Sequence, residues 1–341
     1  MLLRAVVPLT LAWAAFAHAG QACGQATAAW PAPGQSQVRA WLLRIHGAAS
    51  GRNFQGTFVV SGGGNVASAR IAHFCDGPNQ YERIESLDGK QRKVYRYNEV
   101  VQTVWPASHI AMIEQRGMLS SFPALLQAGD DGIGDWYDVR SEGSERVAGH
   151  DADVLAVHAR DALRYGYRLW ADRASGLLLR AEVIGAKGEV LETSAFSDVV
   201  IGVRPQPDSV LQAMRRLDGY RVVRPVLTPT RLESEGWTMR SVAPGFREVS
   251  CVSRQIDAPG ETSSASTSPP VIQSIYSDGL TYVSVFIEPF RPEHHTKPVL
   301  AVVGATSTLA RRQGEWWITV IGDTPPATLK LFAAALERRK P

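Results

Sequence analysis

From residue 54 onward the sequence is written in short apolar alternations, each closed by a glycine, aspartate or asparagine turn, and that pattern commits the chain to β-sheet. The runs 54–61 (FQGTFVVS), 66–74 (VASARIAHF), 80–86 (QYERIES), 90–97 (KQRKVYRY) and 100–105 (VVQTVW) are rich in β-branched and aromatic residues. Leu87-Asp88-Gly89 and Tyr97-Asn98-Glu99 read as hairpin corners between them. Strands resume at 136–140, 146–158, 165–171, 176–184 and 190–199. The richest piece is 164–180, RYGYRLWADRASGLLLR, where Tyr165, Tyr167, Leu169 and Trp170 form one arm and three leucines return after a turn. Arms so apolar either fill an ordinary core or form a sheet face that holds something else.

Helices are few. VRAWLLRIH places Val38, Trp41, Leu42 and Ile45 at helical spacing, which predicts an amphipathic helix over 37–47. Pro123-Ala-Leu-Leu-Gln reads as a short helical insertion led by its proline. The fold class is therefore mainly β with an α+β part: a large sheet or open β-barrel that the early helix can plug.

The chain of 341 residues exceeds a usual single core, so two domains are expected. It opens MLLRAVVPLTLAWAAFAHAG, with one arginine, an apolar run and Ala17-His18-Ala19 as a cleavage site, the form of a signal peptide over 1–19. A flexible leader, 20–36, precedes an N-terminal domain over 37–203. Pro205, Pro207, Pro225 and Pro229 mark 204–236 as a linker, and 237–341 forms the second domain. There, 237–244 leads into strands at 247–255, 271–276, 280–288, 301–310 and 315–321, with a low-complexity loop, ETSSASTSPP, at 261–270. A closing helix is expected over 326–338, with Asp323-Thr324-Pro325-Pro326 offering a cap and a first-turn proline.

Formal charge is +3, so no global field points to nucleic acid. Residues 215–341 carry 16 basic and 12 acidic groups, a local excess suited to an acidic partner or a headgroup. Of three cysteines, Cys75 and Cys251 are the better candidates for a disulfide, because Cys23 sits in the leader; the other pairings stay open. Catalytic motifs are wanting: neither Gly-x-Ser-x-Gly nor His-Glu-x-x-His occurs. His294 and His295 are adjacent, so on an extended segment they point to opposite faces and make a poor metal pair. His73 and Cys75 share a strand face, the minimum for a nucleophile and base, yet such neighbours more often pack.

The segments Phe54-Gln-Gly-Thr-Phe-Val-Val, Ala69-Arg-Ile-Ala-His73, Tyr81-Glu-Arg-Ile-Glu-Ser-Leu-Asp-Gly89, Arg146-Val-Ala-Gly149, Arg164-Tyr-Gly-Tyr-Arg-Leu-Trp-Ala-Asp172 and Gly176-Leu-Leu-Leu-Arg180 stand in this order. Together they resemble the RseB/MucB family of periplasmic regulators of the envelope-stress sigma factor, sigma-E or AlgU-type. Pro244-Gly-Phe-Arg-Glu-Val249, Tyr276-Ser-Asp-Gly-Leu-Thr-Tyr-Val-Ser-Val285 and Val320-Ile-Gly-Asp-Thr-Pro-Pro326 look like that family's C-terminal domain. The resemblance implies an N-terminal open barrel similar to lipoprotein carriers of the LolA/LolB kind, whose concave face accepts acyl chains. It also implies a periplasmic protein without enzymatic activity or cofactor. Its partner would be the periplasmic part of a single-pass anti-sigma factor, RseA/MucA-like, which it shields from proteolysis until lipid or lipopolysaccharide competes.

On the residues themselves, Phe58, Val60, Ile71, Leu169, Leu177 and Leu179 make an apolar face too large for one short helix, which predicts a lipid groove. The alternative is that helix 38–45 and the insertion at 122–126 fill the barrel. For the anti-sigma factor, Tyr276, Asp278, Leu280 and Tyr282 stand at a hairpin corner and its strand, while Arg291, Arg311 and Arg312 offer charge to an acidic tail. Two other readings are a lipid or lipoprotein carrier on the same barrel, and an exported hydrolase using His73, Cys75, Asp76, His294 or His295. A homodimer is a further open point.

Overall fold

The computed structural model describes residues 36–115, 133–255 and 270–339, with backbone alone at 36–39 and 255. The expected signal peptide, nearly all of the leader, Cys23, the insertion at 122–127 and most of the loop at 261–270 lie outside the described residues.

Helix α1 (Ser36–Gly51) precedes an antiparallel meander: β1 (Phe54–Gly62), β2 (Asn65–Asp76), β3 (Asn79–Ser86), β4 (Lys93–Tyr97), β5 (Val100–Trp105) and β6 (Ile110–Gln115). The short helix α2 (Ile133–Trp136) leads into a second meander: β7 (Tyr137–Val147), β8 (His150–Ala159), β9 (Gly166–Asp172), β10 (Leu178–Ile184) and β11 (Val190–Ile201). Strand β11 pairs back on β1, from Phe54↔Ile201 to Gly62↔Glu192, and fuses the meanders. After helix α3 (Pro207–Arg215), strand β12 (Arg221–Val223) adds in parallel to β6 and completes a twelve-stranded sheet. Its outer strands, β7 and β12, do not pair with each other, so the sheet is open.

The second sheet has seven strands in the order β13 (Val226–Pro229), β15 (Arg247–Gln255), β16 (Val271–Ser277), β17 (Tyr282–Pro289), β20 (Trp316–Gly322), β19 (Thr306–Gln313) and β18 (Val299–Val303). Helix α4 (Pro326–Ala335) lies on it, and β14 (Trp237–Met239) pairs with β21 (Leu336–Arg338) beside the helix.

The structure differs from the sequence reading where a turn hides inside an apolar run. The strand expected over 146–158 is two, because Ala148 (φ 48°) and Gly149 (φ 84°) make a two-residue left-handed loop between Val147 and His150. That expected over 301–310 breaks at Gly304 (φ 59°) into β18 and β19. The closing helix stops at Ala335, and Leu336–Arg338 turns into β21. Pro326 starts that helix as expected, but without a side-chain cap. The stretch 204–236 holds three elements: α3 packs Val210 against Phe74, Tyr81 and Tyr95, β12 joins the first sheet, and β13 joins the second.

Strand β9 is buried on both faces. Tyr167, Leu169 and Ala171 pack against Trp41, Leu42 and Ile45 of α1, whereas Trp170 joins Phe58, Val60, Ile71, Leu177, Leu179 and Phe196 on the other side. The second domain's core centres on Trp237, Val285, Ile318, Leu329 and Phe332.

A close approach in this sheet gives a test. A Cβ on Gly56 would press on the Asp198 carbonyl oxygen and lie 2.9 Å from Val199 Cα, so Gly56→Ala forces β1 from β11 and should cost about 1–3 kcal/mol in denaturant unfolding. By contrast Gly47, exposed in α1 with nothing within 4 Å of such a Cβ, should gain about 0.5–1 kcal/mol as alanine.

Candidate functional site

One arginine sits at the centre of the junction between the two sheets. Asp161 accepts hydrogen bonds from Leu163 N (2.9 Å) and Arg164 Nε (3.0 Å), which sets the β8–β9 turn so that Arg164 reaches into the second domain. There Arg164 Nη1 donates to Asp278 Oδ2 at 2.9 Å and Nη2 donates to the Pro244 carbonyl at 2.5 Å. The guanidinium lies 4.8 Å from the Trp136 ring and 5.3 Å from that of Phe246, so it is clamped by aromatics from both domains. The Arg164 and Asp278 side chains are both fully buried. Asp278 Oδ2 also accepts from Tyr137 OH (2.8 Å), while Oδ1 accepts from the backbone N–H of Leu280 (3.0 Å) and Thr281 (2.9 Å). Four donors thus surround one carboxylate, which is what a buried charge requires.

Other contacts hold the same junction. Leu280 inserts into the α1 cluster of the first domain, and Thr328 Oγ1 donates to the Leu163 carbonyl at 2.5 Å. Gly245 (φ 83°) sits so close to Trp136 that a Cβ there would meet the indole at 2.6 Å. Away from this cluster, Arg254 of β15 bonds Glu114 of β6 at 3.3 Å. The second domain therefore grips both meanders of the open sheet.

The junction also gathers carboxylates. Burial raises the Asp278 carboxyl above its usual range, opposed by its N–H donors and Arg164. Burial, with Asp323 close by, pushes Glu192 of β11 up to about 7, against a hydrogen bond from the Ala305 N–H. Asp323 is itself raised by burial, and accepts from Thr306 Oγ1 at 2.6 Å.

The residues expected to form a lipid groove are all interior. Phe58, Val60, Ile71, Leu177 and Leu179 share one cluster, sealed by Phe196, whose ring meets Phe58 edge-on at 5.1 Å. A register shift between Leu178 and Arg180 lets Leu179 join Leu177 there, with Arg180 over the Trp170 ring at 4.4 Å. Leu169 belongs to the opposite face, under α1. A cleft of about 700 Å³ opens elsewhere, at the β8–β9 end, lined by His158, Arg160, Asp161, Arg168 and Ile184 among others.

The expected partner residues do not form one surface. Tyr276 is core, 5.1 Å from the Phe332 ring, and Asp278 and Leu280 are the junction itself. Tyr282 is half-buried at the start of β17. Arg311 donates to the Ala333 carbonyl near the end of α4, Arg312 lies 4.0 Å over Phe290, and the Arg291 backbone N–H donates to His295 Nδ1.

The expected disulfide is not formed. Cys75 and Cys251 lie in different sheets and are not bonded to each other; the Cys75 Sγ donates to the Ser50 carbonyl at 3.0 Å, and burial pushes the Cys251 thiol up to about 12. His73 stacks on Phe54 at 5.4 Å and its Nδ1 lies 2.9 Å from the Arg52 carbonyl; burial lowers it to about 4, leaving it neutral. His295 stacks on Trp317 at 4.8 Å, and among the described residues no cluster of His, Cys, Asp or Glu could hold a metal ion.

Comparison with known proteins fits both domains. Residues 37–214 match the profile of the MucB/RseB N-terminal domain, and residues 231–337 that of the MucB/RseB C-terminal domain. The chain belongs to the MucB/RseB family. It is 30% identical to the sigma factor AlgU regulatory protein MucB of Pseudomonas aeruginosa over 316 residues, 90% of this chain and 92% of that one. It is 26% identical to the sigma-E factor regulatory protein RseB of Escherichia coli K12, covering 86% of this chain and 88% of the relative. The crystal structure of MucB in complex with MucA(peri) superposes with a TM-score of 0.63 at 28% identity, covering 89% of this chain and 99% of that one.

For this MucB/RseB member the junction gives two tests. Arg164→Ala strands the Asp278 carboxylate in the interior and should cost about 3–5 kcal/mol in urea unfolding. Because Glu192 is raised from 4.5 to about 7 in the folded chain, its stabilising contribution is complete below pH 4.5 and is lost as pH rises toward 7. Glu192→Gln should therefore flatten that part of the stability profile and gain roughly 1–3 kcal/mol at pH 8, read as a higher Tm.

Proposed function

We propose that this chain is a negative regulator of a sigma-E (AlgU-type) stress response. It works in the periplasm, binds the periplasmic part of a single-pass anti-sigma factor, and protects that segment from site-1 proteolysis. The observation that carries this reading is likeness over both domains to proteins named as sigma factor regulators, one of them solved with MucA(peri) bound. The role is one of binding, not turnover. Lipid or lipopolysaccharide acts as the release signal.

The physics of release follows from the packing. The apolar face holding Phe58, Ile71 and Leu179 is filled by this chain's own side chains, so an acyl chain enters only by displacing them. A twelve-carbon chain gains on the order of 10 kcal/mol on burial before binding costs, enough to oppose that repacking. The displaced strands include β9, whose other face carries α1 and Leu280, so expansion of one face strains the junction on the other. A ligand that favours the expanded state then disfavours any partner held by the compact one.

Capture from detergent-solubilised membranes of the source cell, with and without lipopolysaccharide, tests the proposal. One single-pass anti-sigma factor should be retained and then released by lipopolysaccharide. Retention of lipid with no protein partner would overturn the reading and leave a lipid or lipoprotein carrier.

A further inference from the structure

A second cluster of ionisable groups lies at the domain junction, and it is acidic. Glu192, on β11 of the first domain, stands opposite Gly62 of β1 and Val183 of β10 and reaches the β18–β19 turn of the second, where the Ala305 N–H donates to its carboxylate. Glycines permit that approach: a Cβ on Gly304 would lie 3.1 Å from Glu192 Oε2, and one on Gly63, in the β1–β2 turn, 2.7 Å from Gly304 N. From the second domain comes Asp323, between β20 and α4, which accepts from Thr306 Oγ1 at 2.6 Å and whose charge acts on Glu192. The groups facing this pair are neutral or acidic. Strand β9 brings Tyr165, which shares a hydrogen bond with Ser307, and Tyr167, which shares one with Thr281; burial raises both phenols, so they stay protonated. Thr281 and Ser307 donate onward to the carbonyls of Asp323 and Thr324. Asp278 is already matched by Arg164, and Glu189, near Tyr165, adds only negative charge. Among the described residues neither Glu192 nor Asp323 has a basic partner.

We propose that Glu192 and Asp323 carry at most one negative charge between them while the domains are docked, so that docking takes up a proton and the junction is a pH-operated latch. Two carboxylates drawn together out of water, with no cation beside them, do not both ionise readily; apart, each facing water, both do. The two come from different domains, so only the docked arrangement imposes the constraint. Glu192 lies at about 7 in the docked chain against 4.5 when free, so the docked state binds more protons in between. Its contribution to docking is complete below the lower value and is lost as pH rises through the upper one. The second charge then repels Asp323 and drives the β18–β19 turn away from β11 and the β1–β2 turn. Acid tightens the junction and alkali loosens it. The proposal goes beyond the regulator reading and does not rest on it.

Amide hydrogen exchange of the full chain, read by mass spectrometry and expressed as protection relative to the intrinsic rate at each pH, reports on the junction. Between about pH 5.5 and about pH 8, wild-type peptides covering Asp278–Thr281 and Gly304–Thr306 should lose protection by roughly tenfold or more. Glu192→Gln and Asp323→Asn each keep an oxygen for the Ala305 N–H or the Thr306 hydroxyl and cannot ionise, so each should flatten this dependence. Both variants should match wild type at the acid end, which shows that they fold, and should exceed its protection by roughly tenfold at the alkaline end. A merely structural role for either carboxylate would lower protection at both. Glu189→Gln should behave as wild type. Protection that is the same at the two pH values, a pH dependence that survives in both variants, or a Glu192→Gln chain less protected than wild type in alkali would overturn the proposal.

Discussion

The buried pair of Arg164 and Asp278 is the interaction on which the two-domain arrangement rests. Placing two charges in an apolar interface costs several kcal/mol of desolvation, and the pair is tolerable only because it is complete. Asp278 has Tyr137 OH, two backbone N–H groups and the guanidinium; Arg164 has Asp161, the Pro244 carbonyl and three aromatic rings. Purely apolar contacts would hold the domains together as well, but would allow them to slide. A guanidinium with its partners fixed from both sides permits one orientation.

That fixed orientation matters because the twelve-stranded sheet is open. An open sheet can breathe in a way that a closed barrel cannot, and among the described residues its two meanders share one strand pairing, the β1–β11 ladder, backed by the core around Phe58 and Phe196. The second domain ties both meanders, through Arg164 to the β7–β11 half and through Arg254 to Glu114 on β6. Any ligand that spreads the sheet must therefore work against the domain junction. In the regulator proposed above, this would couple any opening of the apolar face to the domain junction, without a dedicated moving part.

The strands were largely legible in the sequence because their ends carry turn residues with a physical reason to be there, as at Asp88-Gly89 and Asn98 (φ 51°). Turns were missed where apolar residues run straight through them, at Ala148-Gly149 and Gly304-Ala305. The β1–β11 ladder joins segments far apart in the chain, and no local pattern announces it. The apolar face was legible as composition and not as geometry: Leu169 fits the same alternation as its neighbours yet lies on the other side, because β9 is buried on both faces and loses the polar marker of an outside. Asp278 and Leu280 read as a turn and a strand start; that the turn delivers an acceptor to Arg164 depends on tertiary placement alone. Family resemblance supplied the function, which no single residue here spells out.

Protection of the partner can be read directly as a rate. The periplasmic segment of the source cell's anti-sigma factor is offered to its site-1 protease while this protein is titrated in. Cleavage should slow saturably as the protein binds the segment, and lipopolysaccharide should restore the rate. Cleavage that proceeds at the same rate under saturating protein would contradict that protection.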